Sequence, residues 1–315
     1  MVEKTDRLVT VFGGGGFVGR YVVQALHRSG ARIRIAERNP RRAYFLKPLG
    51  GVGQTQFVRA EIGDAAAVRR AVQGSTAVIN LVGILDGDME AVHVDGARNV
   101  AEAAAQAGAG ALVHMSAIGA DPESESLYGR TKGQGEQAVR AAFPQATIMR
   151  PSIIFGHEDH FINRFAGMAR LMPVMPVIRG PVRFQPVYVG DVGRAIAAAA
   201  LDRLGHGAKT YELGGPQLFT MRALMEWVCR TTGHDRTLVD VPDPIARLIA
   251  RLTGWAPGAP ITWDQWLMLQ KDNVVSPGAK GLEAFGLTKT PLDTIAEGWI
   301  ASYRRHGRFA VKSPY

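Results

Sequence analysis

The sequence predicts an α/β fold, a doubly wound parallel sheet carrying a smaller, mostly helical C-terminal lobe. Three observations lead there. Strand-like and helix-like segments alternate over residues 8–150, and such alternation builds a parallel sheet with helices on both faces. A glycine cluster lies where the first strand turns into the first helix, the position at which such sheets hold a ligand's phosphates. After Pro151, proline and glycine become frequent and the alternation stops. The expected division is 1–150 for a dinucleotide-binding domain and 151–315 for a substrate- or partner-docking lobe, partly interleaved with the sheet.

Residues 8–19 read LVTVFGGGGFVG. This is strand, tight turn and helix, a Rossmann-type opening with glycines spaced GxxGxxG at Gly13, Gly16 and Gly19. Gly13 allows the turn an unusual backbone angle. Gly16 lets backbone approach a pyrophosphate, whose charge faces the helix N-terminus at Phe17 and Val18. Gly19 lets the helix pack close to the strand. Gly14 and Gly15 fit the same loop with less positional demand. A helix at 17–29 and a strand at 31–36 close a unit of about 30 residues, the size the fingerprint requires.

The remaining elements follow in order. Glu37-Arg38-Asn39-Pro40 leads into a short helical stretch from Arg41. A third strand spans 55–59, and Asp64 caps a helix over 64–73. The fourth strand is 77–82, an alanine-rich helix runs over 90–107, and the fifth strand is 111–115. A helix at 127–142 and a sixth strand at 146–150 complete the series. Beyond it, 184–189 and 210–213 read as strands, 191–202 and 220–232 as helices, and the rest as mostly helical with loops.

Composition bounds the function. With 37 Lys and Arg against 28 Asp and Glu, the net charge is +9, which favours anionic partners. No nucleic-acid-binding module is visible, so nucleic acid is not an expected partner. The lone cysteine, Cys229, forms no internal disulfide and agrees with a reducing compartment. The first strand starts by Leu8, leaving no room for a signal peptide, and no apolar run approaches the ~20 residues of a membrane span. The densest run, 171–178, carries Pro173 and Pro176.

The chemistry concentrates at the end of strand five. His114-Met115-Ser116 is followed twelve residues on by Tyr128, which opens the YxxxK element Tyr128-Gly-Arg-Thr-Lys132. On a helix these two share a face. An ammonium beside a tyrosine stabilises the phenolate, which then serves as acid or base on a carbinol, while Ser116 holds the substrate oxygen. Strand two ends in Glu37 and Arg38, with Arg41 and Arg42 close by. An acid there binds a ribose 2′-hydroxyl and favours NAD(H); an arginine accommodates a 2′-phosphate. Three arginines around one acid favour NADP(H). Glu61, after strand three, is a candidate for the adenine. His157-Glu158-Asp159-His160 reads as a polar turn and no metal is expected; Cys229 reads as core.

GGGGFVG at 13–19, NLVG at 80–83, HMSAIGA at 114–120, YGRTK at 128–132 and RPSIIFG at 150–156 resemble the extended and atypical short-chain dehydrogenase/reductases. RPSIIFGHEDHFINRFAGMA (150–169), FQPVYVGDV (184–192), YELGGP (211–216) and KDNVVS (271–276) resemble, more narrowly, the NADPH-binding accessory subunits of respiratory complex I, the alpha-subcomplex subunit-nine family and its bacterial relatives. The resemblance implies a nucleotide-binding structural subunit beside other complex I subunits, peripheral on the cytoplasmic side of the inner membrane. It adds Leu81, Val82, Gly83, Pro151 and Ile153 to the nucleotide's expected partners and makes Lys132 a ribose ligand. The alternative is a soluble NADP-dependent reductase, dehydrogenase or epimerase working through Tyr128 and Lys132. In PIARLIARL (244–252), Ile245, Leu248, Ile249 and Leu252 share one helical face and Arg247 and Arg251 another. Such a helix docks on an anionic lipid surface or in a partner groove. Trp255, Trp263 and Trp266 are either interface anchors or core, and the basic tail 303–315 is either a loose end or a strap.

Overall fold

The computed structural model describes residues 7–202, 205–256, 259–305 and 307, so most of the tail 303–315 lies outside the described residues. In chain order the elements are β1 (Leu8–Phe12), α1 (Phe17–Arg28), β2 (Arg32–Glu37), β3 (Thr55–Arg59), α2 (Ala65–Val72), β4 (Ala77–Asn80), α3 (Ala97–Gln106), β5 (Ala111–Met115), α4 (Leu127–Ala142) and β6 (Thr147–Pro151). Next come β7 (Ile154–Phe155), α5 (Ile162–Leu171), β8 (Val174–Ile178), β9 (Arg183–Phe184), β10 (Val187–Tyr188), α6 (Val189–Leu201) and β11 (Thr210–Leu213). The chain ends through β12 (Phe219–Thr220), α7 (Met221–Thr232), β13 (Thr237–Val241), α8 (Asp243–Thr253), α9 (Trp263–Met268) and α10 (Leu292–Ile300).

The chain divides into two compact units. The first is 1–151, 189–213 and 276–288; the second is 152–188, 214–275 and 289–315.

The first unit is a Rossmann-type sheet of seven strands in the order β11-β6-β5-β4-β1-β2-β3, with every pair parallel. From β1 the chain goes one way to β2 and β3, then crosses back to β4. The carboxyl ends of β1 and β4 therefore flank the switch point, where such sheets take their ligand. Helices cover both faces, so central strands carry apolar residues on successive positions; Val9, Val11, Phe12, Val78 and Ile79 are fully buried. Ala67, Val68, Val100, Ala104 and Val139 of α2, α3 and α4 form the core of one face. On the other, α1 buries Val18, Val22, Val23 and Leu26.

Gly193 of α6 meets the Tyr21 backbone so closely that a Cβ there would lie 2.8 Å from a carbonyl carbon.

Several expectations need correction. The helix expected over 90–107 is broken: Ala91–Gly96 is a π-helical turn and regular α-helix begins at Ala97. The stretch after Arg38 is a 3₁₀ segment, Pro40–Leu49, with Pro48 inside it. The strand expected at 184–189 is two pairs of residues, β9 and β10, joined through Gln185-Pro186. Proline offers no N–H to a ladder, so the strand breaks there.

In the second unit the residues read as loop or helix include a five-residue parallel pair, β8 with β13. Pro176 sits within β8, which has a single partner and so tolerates it. Phe155, Met175, Val177, Leu224, Trp227, Val228 and Trp299 build this unit's main core. Cys229 belongs to it, its Sγ 3.4 Å from Met175 Sδ, and burial pushes the thiol pKa up. Asp159 accepts the N–H groups of Gly156, Ile162 and Asn163 at the start of α5, which accounts for one residue of the 157–160 turn.

Helix α8 presents an unusual face. Ala246 and Ala250 are its buried residues, while Ile245, Leu248 and Leu252 are 51, 56 and 64% exposed. Trp255 just beyond is 84% exposed. Arg251 lies over the Trp263 ring at 4.6 Å, and Trp263 stacks on the buried Trp266 at 4.9 Å.

Candidate functional site

Three neighbouring parts of the first unit make up the site. The first is the glycine turn. Gly13 has φ +78°, its N–H donates to the Ala36 carbonyl, and its own carbonyl accepts from Gly16 N–H. Gly16 is the N-cap of α1, contributes no side-chain cap and is exposed. The N–H groups of the first turn, from Phe17 and Val18 onward, are thus the ones an anion would satisfy. Gly19 meets the turn itself rather than the strand: a Cβ there would lie 2.2 Å from the Gly13 carbonyl oxygen and 2.6 Å from the Gly14 carbonyl carbon. Gly15 is more constrained than its sequence position suggests. Its Cβ would stand 2.9 Å from Ala43 Cβ, and its N–H donates to Glu37 Oε1 at 2.7 Å.

The second part is a basic cavity of about 530 Å³ beyond β2, lined by Arg38, Asn39, Pro40, Arg41, Tyr44 and Arg59. Arg42 is not on its wall, whereas Arg59, which sequence reasoning missed, is. Arg59 ends β3 in register with Glu37 at the end of β2. That pairing of strand ends is the signal that finds it. Glu37 is turned onto the glycine loop, and burial raises its pKa against the lowering effects of the Gly15 N–H and Arg38. Glu61 is exposed in the turn before α2, its carbonyl accepting from Asp64 N–H.

The third part runs from β4 to β5 and α4. Leu81 N–H donates to the Phe12 carbonyl and Val82 N–H to Asn80 Oδ1. A Cβ on Gly13 would lie 3.3 Å from the Leu81 carbonyl carbon, so the two segments adjoin. Gly83 is exposed, and a Cβ on it would come 3.0 Å from Lys132 Nζ. Lys132 is buried and donates to the Met115 carbonyl at 3.2 Å. Burial lowers its pKa to about 8, opposed by Glu136, which is itself held by two bonds from Arg150. The ammonium lies 5.9 Å from the centre of the Tyr128 ring. Ser116, next after Met115, is 2% exposed, and its hydroxyl has no partner among the described residues.

Two histidines complete this end. His93 comes from the π-helical turn: its Nε2 accepts Ile84 N–H at 3.0 Å and its Nδ1 bonds the Thr131 hydroxyl at 2.9 Å. Its ring meets that of Tyr128 edge to face at 5.6 Å. Sequence reasoning missed it, because only the break in the helix aims it at α4. His114 lies beside Asn80. Burial, then the charge of Lys132, lowers both histidines to about 3, so both are neutral. Pro151, ending β6, gives its carbonyl to Ile118 N–H. Ile153 lies in the second unit, its N–H on Asn273 Oδ1.

The residues fit a nicotinamide dinucleotide. The glycine turn is open to a pyrophosphate, the basic cavity lies on one side, and an orphaned hydroxyl with a buried lysine lies on the other. A lysine near pKa 8 beside a tyrosine is also the pair that moves a proton at a carbinol. Such a sheet, glycine turn and Ser-Tyr-Lys edge define a dinucleotide-binding protein of the short-chain dehydrogenase/reductase type. The chain belongs to the NAD dependent epimerase/dehydratase family, whose profile its residues 9–214 match.

Its relatives narrow this. The mitochondrial NADH dehydrogenase [ubiquinone] 1 alpha subcomplex subunit 9 of Mus musculus is 36% identical over 308 residues, covering 95% of this chain and 80% of the relative. The 40 kDa subunit of mitochondrial NADH-ubiquinone oxidoreductase of Neurospora crassa is 31% identical over 305 residues, again 95% and 80%. Among solved structures, an NADPH-dependent quinone oxidoreductase of Escherichia coli complexed with NADPH has the same fold. Its TM-score is 0.76 at 22% identity, over 92% of this chain and 98% of that one.

Proposed function

We propose that the chain is an NADP(H)-binding accessory subunit of a bacterial-type respiratory complex I, with the nucleotide as a structural ligand. The carrying observation is the reach of the similarity. It runs through 95% of the chain, the second unit included, to proteins whose names place them in that complex. The basic cavity supports a nucleotide with an extra phosphate. A bound dinucleotide stabilises the fold by mass action. No helix among the described residues is long and apolar enough to cross a membrane. On the strength of the relatives, the proposed partners are other complex I subunits and the proposed place is peripheral, on the cytoplasmic side of the inner membrane.

The test is a native gel of mildly solubilised host membranes, blotted for this chain and stained for NADH dehydrogenase activity. Co-migration with the active high-mass band is expected. Recovery solely as a small soluble species overturns the reading.

The exposed strip of α8 supports a lipid contact. Leu248→Asp with Leu252→Asp is expected to lower the membrane-bound fraction about tenfold or more, since burying a leucine contributes roughly 1.5–3 kcal/mol. Both side chains are exposed in the chain itself, so its melting temperature should barely move. An unchanged membrane fraction, read by flotation with anionic vesicles, rules the contact out.

The assembled Ser116, Tyr128 and Lys132 favour a second reading, a soluble NADP-dependent reductase, dehydrogenase or epimerase. Tyr128→Phe separates the two. Under the accessory reading it leaves nucleotide content and assembly at wild-type level; under the enzymatic reading it removes turnover of carbonyl substrates with NADPH.

A further inference from the structure

We propose that Arg59 is a specificity-determining residue, the arm of the basic cavity that selects a 2′-phosphorylated adenosine, and that Glu37 has been withdrawn from ribose recognition. This rests on the NADP(H) reading above and assigns its selectivity to residues outside the β2-end arginine pattern.

The cavity wall carries three guanidiniums and no carboxylate. Two come from the segment just after β2. The third, Arg59, comes from a different strand and reaches the same cavity because β2 and β3 are parallel and in register, Glu37 opposite Arg59. The guanidiniums of Arg38, Arg41 and Arg59 make no hydrogen bond or ion pair with another described residue. Glu37 beside Arg38 offsets part of this positive charge, but no carboxylate lines the cavity itself; converging like charges repel one another, and a dianion removes that cost. Tyr44, also on the wall, packs edge to face on Phe57 of β3 at 5.2 Å, which fixes the cavity's floor to the strand that carries Arg59.

Glu37 is the residue that would oppose such a ligand. One of its carboxylate oxygens is committed to Gly15 N–H at 2.7 Å, and a Cβ on Gly15 would lie 3.1 Å from that same oxygen. The carboxylate braces the glycine turn instead of facing the ribose. The acid that on spacing alone argues for NAD(H) thus holds the loop that binds the pyrophosphate.

The test uses the full chain freed of nucleotide and titrated with NADPH and with NADH, following nicotinamide fluorescence. Wild type is expected to prefer NADPH. Arg59→Ala is expected to weaken NADPH by about tenfold to a hundredfold, the worth of one charged hydrogen-bonded contact, and to leave NADH within about threefold. Arg59→Lys should restore part of the preference. Glu37→Gln keeps an oxygen for Gly15 N–H and should leave the NADPH-to-NADH ratio within about threefold.

If Arg59→Ala weakens both nucleotides equally, or neither, Arg59 does not select and the proposal fails while the NADP(H) reading stands. A tenfold gain in NADPH preference from Glu37→Gln shows the acid facing the ribose and also overturns it. If wild type binds NADH better, or binds neither, the underlying reading falls as well. A thermal unfolding curve for each variant identifies any loss of fold, and Arg59→Lys then carries the comparison.

Discussion

Gly19→Ala is expected to yield a protein that purifies without nucleotide and melts several degrees below wild type. The added Cβ would sit 2.2 Å from the Gly13 carbonyl oxygen and 2.6 Å from the Gly14 carbonyl carbon. Both are backbone atoms, so no side chain can swing away. Either α1 moves off or the turn opens, and overpacking of this kind costs about 1–3 kcal/mol, sometimes more. For a chain of this size that is on the order of 2–4 °C per kcal/mol. The larger effect is on the ligand. The Gly13 carbonyl also accepts Gly16 N–H, so a displaced turn re-aims the N–H groups that would face a pyrophosphate. Gly63→Ala is the control, since nothing lies within 4 Å of its Cβ. The measurements are bound nucleotide released by acid and quantified by absorbance, and a melting curve. Wild-type nucleotide content in Gly19→Ala would show that the turn does not hold the ligand.

The second large effect is acid lability centred on His93 and His114. Their folded pKa values, about 3, lie below the ordinary 6.5. The folded chain therefore keeps both neutral while the unfolded chain protonates them. The stability they contribute is complete above pH 6.5 and is lost as pH falls toward 3. At pH 5 each histidine lies about 1.5 units below its unfolded pKa, which is roughly 2 kcal/mol apiece. Against a total of about 5–15 kcal/mol, that pair alone removes a large share. Lys132 acts in the same direction in a higher pH window. With its folded pKa near 8 against an ordinary 10.5, the cost of carrying its charge is full below pH 8 and is relieved as pH rises from 8 to 10.5. Urea midpoints from pH 4.5 to 7.5 test the histidine term: a steep fall below 6.5 is expected. His157→Ala, at an exposed position, should leave the slope unchanged. A flat midpoint between pH 5 and 6.5 would show that the two histidines are not buried neutral.

Much of the first unit was legible because its signals are local. The glycines of the turn, the apolar strands and the Asp64 cap, which accepts Ala66 and Ala67 N–H, are each written within a few residues. What sequence missed is written across the sheet. Arg59 joins Arg38 only through strand register, and His93 faces Thr131 only because 91–96 widens into a π-helical turn. In the second unit the β8–β13 pair hid behind Pro176, a residue that argues against a strand unless the strand is an edge. Helix α8 was legible as an apolar stripe suited to docking, and the structure leaves Ile245, Leu248 and Leu252 of it exposed. What periodicity did not give is the inner flank: Ala246 and Ala250 are the buried residues, and Ile249 of the stripe packs beside them.

The first unit is also discontinuous in the chain, and this bears on how it is made. Strand β6 is complete at residue 151, yet its outer neighbour β11 arrives only at 210–213. The far side of β11 waits longer still, for Lys280, whose carbonyl accepts Glu212 N–H, and for Ser276, whose N–H donates to the Glu212 carboxylate. During synthesis the nascent sheet therefore leaves the ribosome with an open edge, and an unpaired edge is a template for intermolecular pairing. The edge is closed only after most of the second unit has been translated, which makes the last eighth of the chain a checkpoint for the quality of the first half.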